Sequence, residues 1–438
     1  MHYVLGEGEN EIRLPDSYNG LGFKNLIYMV VEILDLHAEW LADKENRAPL
    51  HLIFIEEPEA HMHAQLQQVF IRNVLDLLKE SGEDRSAFCS QAVVTTHSPH
   101  ILYERGFQPI RYFRRQTSNG DQTTAVLNLS AFYEKTPEDR EFLQRYLKLT
   151  HCDLFFADAA ILVEGNVERL LLPVMIEEQV PSLRSACLCI LEVGGAFGHR
   201  FKSLIEFLGL ITLVITDIDS VTLAADVVTE NEDDDENTDF EVPNTEENQP
   251  PVKKAGTTCL PSEDGALTSN QTLIKWLPKK QTIAELNAAA DHEKLHEGDG
   301  GSGFKVRVTY QVPTNVTWNG ATASLCGRTL EEAFGLENAE WCQSQNQRHL
   351  GLKMRTNPVT PAALASGLHK RVSGKSFNKT KFALGVLTEL PTNWIVPRYI
   401  KEGLDWLNNE VTLELTIPPP ETNVPMIEAA APSGEGDQ

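Results

Sequence analysis

Short, mainly apolar runs alternate with helical patterns along much of the chain. They occur at 51–55, at the start of 92–102, at 159–163 and within 208–222. Runs of this length, bounded by turn residues, are typical of buried strands. In the second half the order is strand, helix, strand, helix, strand, for which parallel pairing through right-handed crossovers is expected. The pattern predicts an α/β fold built on an open parallel sheet.

Acidic residues follow two of these predicted strands. Glu164 comes directly after 159–163, Glu168 lies four residues later, and the run 208–222 contains Asp217 and Asp219. Ligands of open parallel sheets lie beyond the carboxyl ends of the strands, and strand alternation would put the two aspartates on one side of the chain. Four carboxylates in one crevice repel one another unless cations compensate them. Either motif alone would indicate only acids capping a strand, but together they predict a site for one or two Mg²⁺ or Mn²⁺ ions.

A second pair of acids ends an apolar run in the first third of the chain. Glu56 and Glu57 follow the run 51–55, as in a Walker B element, where one carboxylate binds the magnesium of a nucleotide and the other orients or deprotonates water. The run that begins at 92 leads into His97, which could reach a terminal phosphate. A single histidine at such a place is more often a loop residue or a helix cap. The two strands together favour a nucleotide site.

The segment 19–34 opens with a glycine turn and continues as a predicted helix. With the Walker B pattern and the histidine, it resembles the ATP-binding-cassette ATPases of the RecF and SMC type, and most closely the ATPase half of the OLD (overcoming lysogenization defect) nucleases. The resemblance implies a homodimer in which the helix N-terminus faces the other subunit's ATP, an arrangement that favours phosphate. The residues it assigns to this contact are Gly20, Gly22, Lys24 and Asn25.

A phosphate-binding loop does not precede this segment. The string SGKS at 373–376 lacks the first glycine of a Walker A motif and the strand that should come before it. We therefore expect the C-terminal part of an ABC-type ATPase domain, which binds ATP poorly unless the missing N-terminal part is supplied.

The acidic motifs of the second half resemble the Toprim domain of topoisomerases, primases and OLD nucleases. The stretch 326–334 resembles the T-L-E element of that family, which implies Glu331 as a further metal ligand. The stretch 378–387 resembles its K-x-x-F-A element, where Lys379 matches the catalytic lysine by spacing and Lys381 is the competitor. An ATPase part followed directly by a Toprim region points to the OLD family.

Charge and composition narrow the possible partners. The net charge of −25 argues against a generally basic surface, although ten acids and no Lys or Arg lie in 228–250, a composition typical of disorder. Basic runs at 111–115 and 369–381 could meet phosphates or could be ordinary solvated faces. The seven cysteines include no CxxC pair, which favours reduced cytosolic thiols. No window is apolar enough to cross a bilayer, so a cytoplasmic protein without a membrane partner is expected.

The resemblance implies a definite organisation and activity. We expect the ATPase part at 1–150, a Rossmann-like Toprim nuclease domain at 151–410 with a family-peripheral insertion at about 222–304, and a disordered tail at 411–438. The function implied is a metal-dependent DNA endonuclease or nickase, regulated by ATP, in antiphage defence or DNA processing, with a helicase or another defence protein as a possible partner. The alternatives are a non-nucleolytic DNA-associated ATPase with a scaffolding Toprim domain, a strand-passing or primase-like enzyme, and a truncated, inactive ATPase remnant.

Overall fold

The computed structural model describes residues 2–5, 12–15, 19–78, 89–105, 109–118, 121–135, 142–143, 146, 152–194, 197–222, 256–298 and 304–416. Strands and helices alternate through most of this length. The strands are β1 His2–Leu5, β2 Ile12–Pro15, β3 Leu50–Glu56, β4 Cys89–Thr95, β5 Arg111–Ser118, β6 Asp121–Asn128, β7 Ala159–Val163, β8 Leu188–Glu192, β9 Ile211–Ile215, β10 Ser220–Thr222, β11 Thr257–Thr258, β12 Leu267–Thr268, β13 Leu295–Glu297, β14 Lys305–Thr309, β15 Thr314–Trp318 and β16 Ala321–Leu325. The helices are α1 Leu21–Ala42, α2 Ala64–Leu77, α3 Pro99–Arg105, α4 Leu129–Lys135, α5 Asn166–Gln179, α6 Lys202–Leu208, α7 Gln271–Lys275, α8 Ile283–Ala288, α9 Leu330–Glu337, α10 Ala339–Gln343, α11 Pro361–Val372, α12 Lys379–Leu387 and α13 Arg398–Thr416.

The first third is organised around a parallel pair of strands. Strands β3 and β4 run side by side in a register that pairs Glu56 with Thr95, so both end at the same level. Helices α1 and α2 pack against this pair, and one apolar cluster of the region includes Ile33, Ile53 and Phe70. The predicted parallel arrangement is therefore present at the position of the Walker B pattern.

A mostly parallel sheet forms the centre of the second half. Its order is β13-β14-β9-β7-β8, with β13 antiparallel to β14 and the other neighbours parallel. Every residue of β7 and β9 is buried, as expected for central strands covered on both faces. Two apolar clusters share these strands, since Ile161 lies in one cluster and Leu162 in the other. The predicted α/β fold with a parallel sheet is confirmed.

The described part of the expected insertion contains strands as well as helices. Strand β10 pairs with both β11 and β12 in a small antiparallel sheet, and α7 and α8 follow it. The side chain of Trp276 is fully buried beside the second apolar cluster of the sheet. Residues 256–298 thus form strands as well as helices and pack into the domain, while the acidic block at 228–250 lies outside the described residues.

Helix α13 closes the domain and changes one expected boundary. It runs to Thr416 and buries Val411, so an unstructured tail cannot begin at 411. Residues 417–438 lie outside the described part of the chain. None of the helices in the described ranges has the length and apolar character needed to cross a membrane.

Candidate active site

Three neighbouring parallel strands end at the same edge of the sheet, and a polar side chain follows each of them. Val163, the last residue of β7, is in register with Ile215 of β9, and Ile215 is in register with Thr309 of β14. Each strand is followed within two residues by a polar side chain that points into one cluster. These side chains are Glu164 after β7, Asp217 after β9 and Gln311 after β14.

Glu164 is held by donors of the adjacent strand end. Its Oε2 accepts from the Thr216 hydroxyl at 2.8 Å and from the Asp217 backbone N–H at 2.9 Å. Burial, followed by the negative charge of Asp219, raises the pKa of Glu164 to about 7. The carboxylate is therefore fixed in place but costly to ionise, because burial disfavours its charged form.

Asp217 is a buried acid of the cluster, held by two donors. Its Oδ1 accepts from the Gln311 side-chain amide at 2.6 Å and from the Leu330 backbone N–H at 3.0 Å. Burial, with the negative charges of Glu164 and Glu168, raises the pKa of Asp217 well above its ordinary value. Its orientation is set by two elements far away in sequence, the end of β14 and the start of α9.

Glu168 lies on the first turn of α5, beside the same cluster. Its Oε2 accepts from the backbone N–H of Gly165 at 3.1 Å, which completes the cap of that helix. Burial raises the pKa of Glu168 to about 8, and the charges of Glu331 and Glu164 act in the same direction. The E-G-x-x-E spacing thus places the second glutamate beside the C-terminal end of β7, in the same cluster as the first.

Glu331 and Lys379 form the other side of the cluster. Glu331 is 1% exposed; its Oε2 accepts from the Thr329 hydroxyl at 2.7 Å, and its Oε1 lies 3.4 Å from the Lys379 Nζ. Burial alone would lower the pKa of Lys379, but the charges of Glu331, Asp217 and Glu168 outweigh it and raise that pKa above its ordinary value. Lys381 is exposed and donates its backbone N–H to the Asn378 side chain that caps α12. The structure thus brings Lys379, the match by spacing, to the acids.

Asp219 lies beyond the end of the strand, and not on it as expected. Strand β9 ends at Ile215, and Asp219 has a positive φ of 43°, so strand alternation does not describe the D-x-D segment. The carboxylate of Asp219 pairs with Arg328 at 2.7 Å. The assumption that both aspartates project from one face of a strand was wrong, although the charge of Asp219 still acts on Glu164.

The donor set of this cluster fits a divalent ion by chemistry. Carboxylate oxygens are hard ligands, and the pKa values of three of the acids are raised, first by burial and then by the negative charges of their neighbours. Within the described ranges, no group of three or more His, Cys, Asp or Glu side chains is arranged to hold an ion with the side chains as they stand. Instead, Arg328 pairs with the carboxylate of Asp219, and Lys379 pairs with the carboxylate of Glu331.

Several residues that orient the acids were missed by sequence reasoning. Gln311 bridges the site, because its amide donates to Asp217 and its oxygen accepts from the Ile218 N–H at 2.9 Å. The side chain of Asn270, 2% exposed, also enters the cluster, from the segment before α7. Gln311 could have been suspected because it follows a buried strand, whereas nothing in the local sequence marks Asn270. Ser220, directly after the D-x-D motif, donates its hydroxyl to the Cys259 carbonyl at 2.6 Å.

The predicted nucleotide-binding residues of the first third lie at the paired ends of β3 and β4. Glu57 has a positive φ of 40°, and its backbone N–H donates to the Thr95 carbonyl at 3.1 Å. The Nε2 of His97 lies 3.6 Å from the Glu57 carboxylate, and both side chains are exposed. Glu56, the last residue of β3, is exposed beside them. The structure therefore brings the Walker B pair and the histidine together.

The start of the segment 19–34 packs against the turn that follows Glu57. Gly20 caps α1, and an added Cβ at Gly22 would lie 2.2 Å from the His61 carbonyl oxygen. The side-chain amide of Asn25 donates to the Ala60 carbonyl at 2.8 Å. Lys24 lies on the first turn of the same helix. These residues therefore connect the start of α1 to the loop of the proposed nucleotide site.

Comparison with known proteins gives two matches to family models. Residues 3–102 match an AAA ATPase domain, and residues 155–219 match the TOPRIM domain of overcoming lysogenization defect protein-like proteins. The chain thus combines an AAA-type ATPase domain with an OLD-like TOPRIM domain. The TOPRIM match includes the four acids of the E-G-x-x-E and D-x-D motifs and ends before Glu331 and Lys379.

Curated relatives extend the similarity over most of the chain. It is 27% identical over 433 residues to Endonuclease GajA of Bacillus cereus strain HuB5-5, a match that covers 91% of this chain and 54% of the relative. It is also 25% identical over 190 residues to the OLD nuclease of Thermus scotoductus, which covers 43% of this chain and 33% of the relative. The chain is homologous to these nucleases, consistent with the OLD family. It spans about half the length of the first of these relatives.

Proposed function

We propose that this protein is a metal-dependent DNA endonuclease or nickase of the OLD type. The observation that carries the proposal is the meeting of Glu164, Asp217 and the Glu331–Lys379 pair beyond the carboxyl ends of parallel strands. TOPRIM nucleases generally use divalent metal ions, and the relatives named as nucleases support DNA as the substrate. Open parallel sheets bind their ligands at this edge, so the fold and the chemistry agree.

The acids hold the ions in this proposal. Asp217, Asp219 and Glu164 bind metal, and Glu168 and Glu331 complete or share a second Mg²⁺ or Mn²⁺. Bound divalent ions activate water and stabilise the leaving oxygen of a phosphodiester. The raised pKa values of Glu164, at about 7, and Glu168, at about 8, mean that the metal-free cluster is partly protonated near neutral pH. Ion binding therefore releases protons from the cluster.

Lys379 contributes positive charge beside the scissile phosphate. Its pKa is raised by the surrounding acids, so it stays protonated at every physiological pH. A permanently charged ammonium cannot act as a general base, but it stabilises negative charge that develops on the phosphoryl oxygens. Its side chain is 55% exposed although it pairs with buried Glu331, so a phosphate can approach it from solvent.

The ATPase domain regulates or loads the nuclease in this proposal. An AAA-type ATPase domain implies a nucleotide ligand; Glu56 and Glu57 would serve its magnesium and attacking water, and His97 its terminal phosphate. Gly20, Gly22, Lys24 and Asn25 would face the ATP of a second subunit. Leu21 and Tyr28, 63% and 65% exposed on α1, support a protein interface beside that segment. The homodimer is tested by measuring the molecular mass of the purified chain by light scattering. The measurement is made with and without ATP, and with the N-terminal part of the ATPase domain added as a separate polypeptide.

Incubation with supercoiled plasmid tests the nuclease directly. The purified chain should convert it to nicked or linear DNA with Mg²⁺ or Mn²⁺, and D217N should abolish the conversion. D405N changes an exposed aspartate on α13; it is the matched control and should cut like the native chain. Cutting by D217N, or no cutting by the native chain with either ion, would contradict the proposal.

The biological setting follows from the family resemblance. We place the protein in antiphage defence or DNA processing in the cytoplasm, with a helicase or another defence protein as a possible partner. Phage challenge of cells that carry the native gene or the D217N variant tests the defence role. Equal plaque counts with both genes would remove it without affecting the plasmid result.

A further inference from the structure

Asn270 is the most completely bonded polar side chain of the cluster, and it comes from the segment between the D-x-D and T-L-E motifs. Its Nδ2 donates to the Thr216 hydroxyl at 2.7 Å, to the Asp217 carbonyl at 2.8 Å and to the Glu164 Oε2 at 3.4 Å. The side chain is 2% exposed. One amide therefore contacts the strand ends that supply two of the proposed metal ligands.

The other end of the same side chain is bound to its own segment. The Oδ1 of Asn270 accepts from the backbone N–H groups of Thr272 at 2.9 Å and Leu273 at 3.4 Å, and so caps α7. The neighbouring residue Ser269 donates its backbone N–H to the Asp219 carbonyl at 3.1 Å. The segment is thus attached to the D-x-D loop by a side chain and by the backbone next to it.

We propose that Asn270 is a positioning residue of the nuclease site, through which the segment 256–298 sets the place of Glu164 and of the Thr216–Asp217 backbone. An amide suits this role because it is the one uncharged side chain type that can donate to the acids with its nitrogen and cap a helix with its oxygen. A lysine there would neutralise the cluster, and a carboxylate would add to its repulsion. The inference rests on the proposed function, since it concerns the same site.

The geometry predicts a defect that is separable from loss of folding. In N270S the serine still caps α7, because serine is as good a cap as asparagine, but it is too short to reach Glu164. In N270D the cap and the shape remain, but an acceptor replaces the donor beside Glu164 and the Asp217 carbonyl. Both variants should keep a folded segment and lose the restraint on the acids.

Two control variants separate the amide from the stability of the segment. T282A removes the cap of α8, where the Thr282 hydroxyl accepts from the Glu285 N–H at 3.1 Å. Among the described residues, that hydroxyl hydrogen-bonds to Glu285 and to no acid of the cluster. N287S changes an exposed asparagine on the same helix. T282A should lower the melting temperature, and N287S should change nothing.

The test measures Mn²⁺ binding by titration calorimetry on the full chain, together with the Mn²⁺ dependence of plasmid nicking. Loss of a residue that orients metal ligands typically weakens metal affinity or activity about 10- to 100-fold. We expect N270S to raise the Kd for Mn²⁺ and the Mn²⁺ concentration for half-maximal nicking at least about tenfold, with N270D affected as well. T282A and N287S should keep native values of both quantities.

The possible outcomes separate this inference from the nuclease proposal. Native Kd and nicking in N270S would overturn the inference alone, and so would an equal rise in T282A, because it would assign the effect to segment stability. A native chain that binds Mn²⁺ but never nicks would refute the nuclease, while a weaker Kd in N270S would still support the role of Asn270. Absence of Mn²⁺ uptake by the native chain would overturn both.

Discussion

The E164Q substitution should stabilise the metal-free protein above neutral pH while abolishing plasmid cutting. Burial and the charge of Asp219 raise the pKa of Glu164 to about 7, so the ionised carboxylate destabilises the folded state more than the unfolded one. In the native chain the Thr216 hydroxyl and the Asp217 N–H donate to the Oε2 of Glu164, and a glutamine oxygen can still accept from both. The substitution therefore removes the charge and keeps the principal hydrogen bonds.

The size and the pH range of this effect follow from the shift. Raising the pKa of a carboxyl from 4.5 to about 7 corresponds to about 3 kcal/mol. Because the folded-state pKa is the higher one, the stability from protonation is fully present below about pH 4.5 and is lost as the pH rises through about 7. The native and E164Q chains should therefore have similar stability at about pH 5, and E164Q should be more stable by up to about 3 kcal/mol at about pH 8.

Urea denaturation in the presence of a chelator, followed by tryptophan fluorescence, measures this difference at the two pH values. The signal reports mainly the second half, because five of the six tryptophans lie between 276 and 406. E178Q, at an exposed position on α5, is the matched control and should behave like the native chain. Equal stability of E164Q and native chains at the higher pH, or a less stable E164Q, would refute the electrostatic reasoning.

Three further predictions concern other parts of the protein. In a plasmid assay, K379A should lower the nicking rate about 100-fold with little change in the Mn²⁺ concentration required. K381A should cut normally. A larger loss in K381A than in K379A would make Lys381 the catalytic lysine. G22A should lower the melting temperature of the ATPase domain, because the new Cβ would lie 2.2 Å from the His61 carbonyl oxygen; an unchanged melting temperature would show that the two segments separate easily. Millimolar Mg²⁺ should raise the melting temperature of the native chain more at about pH 8 than at about pH 6, since ligands must be deprotonated to bind, and a larger rise at the lower pH would contradict this.

The acids of the site could be predicted because they follow buried strands. Apolar runs identify strands without any structure, and parallel strands end at one edge, so Glu164 and Asp217 were placed together by order alone. The resemblance added Glu331 and Lys379, which lie on helices whose direction the local sequence does not give. The structure brings these residues to one cluster, while their proposed roles in binding metal and phosphate await the experiments above.

The residues that hold the acids in place could not be predicted in the same way. Asn270 lies 106 residues from Glu164, and Gln311 lies 94 residues from Asp217. Contacts over such separations depend on how the whole domain packs, and single polar side chains carry no periodic signal. For the same reason the D-x-D segment was misjudged, because a strand rule was applied past Ile215, where the strand ends. The contacts of the segment 256–298 with the site were also missed, because the resemblance placed this segment in a family-peripheral insertion.

The ribosome synthesises the parts of the site at widely separated times. The buried hydroxyl of Tyr399 accepts from Gln311, which in turn holds Asp217, so the arrangement is complete only when α13 has been made. About 235 residues separate Glu164 from Tyr399, which at about 5–20 residues per second takes roughly 10 to 50 s. Under the proposed function, the site of a nascent chain is incomplete during this interval, and we expect fragments released before α13 to cut DNA poorly.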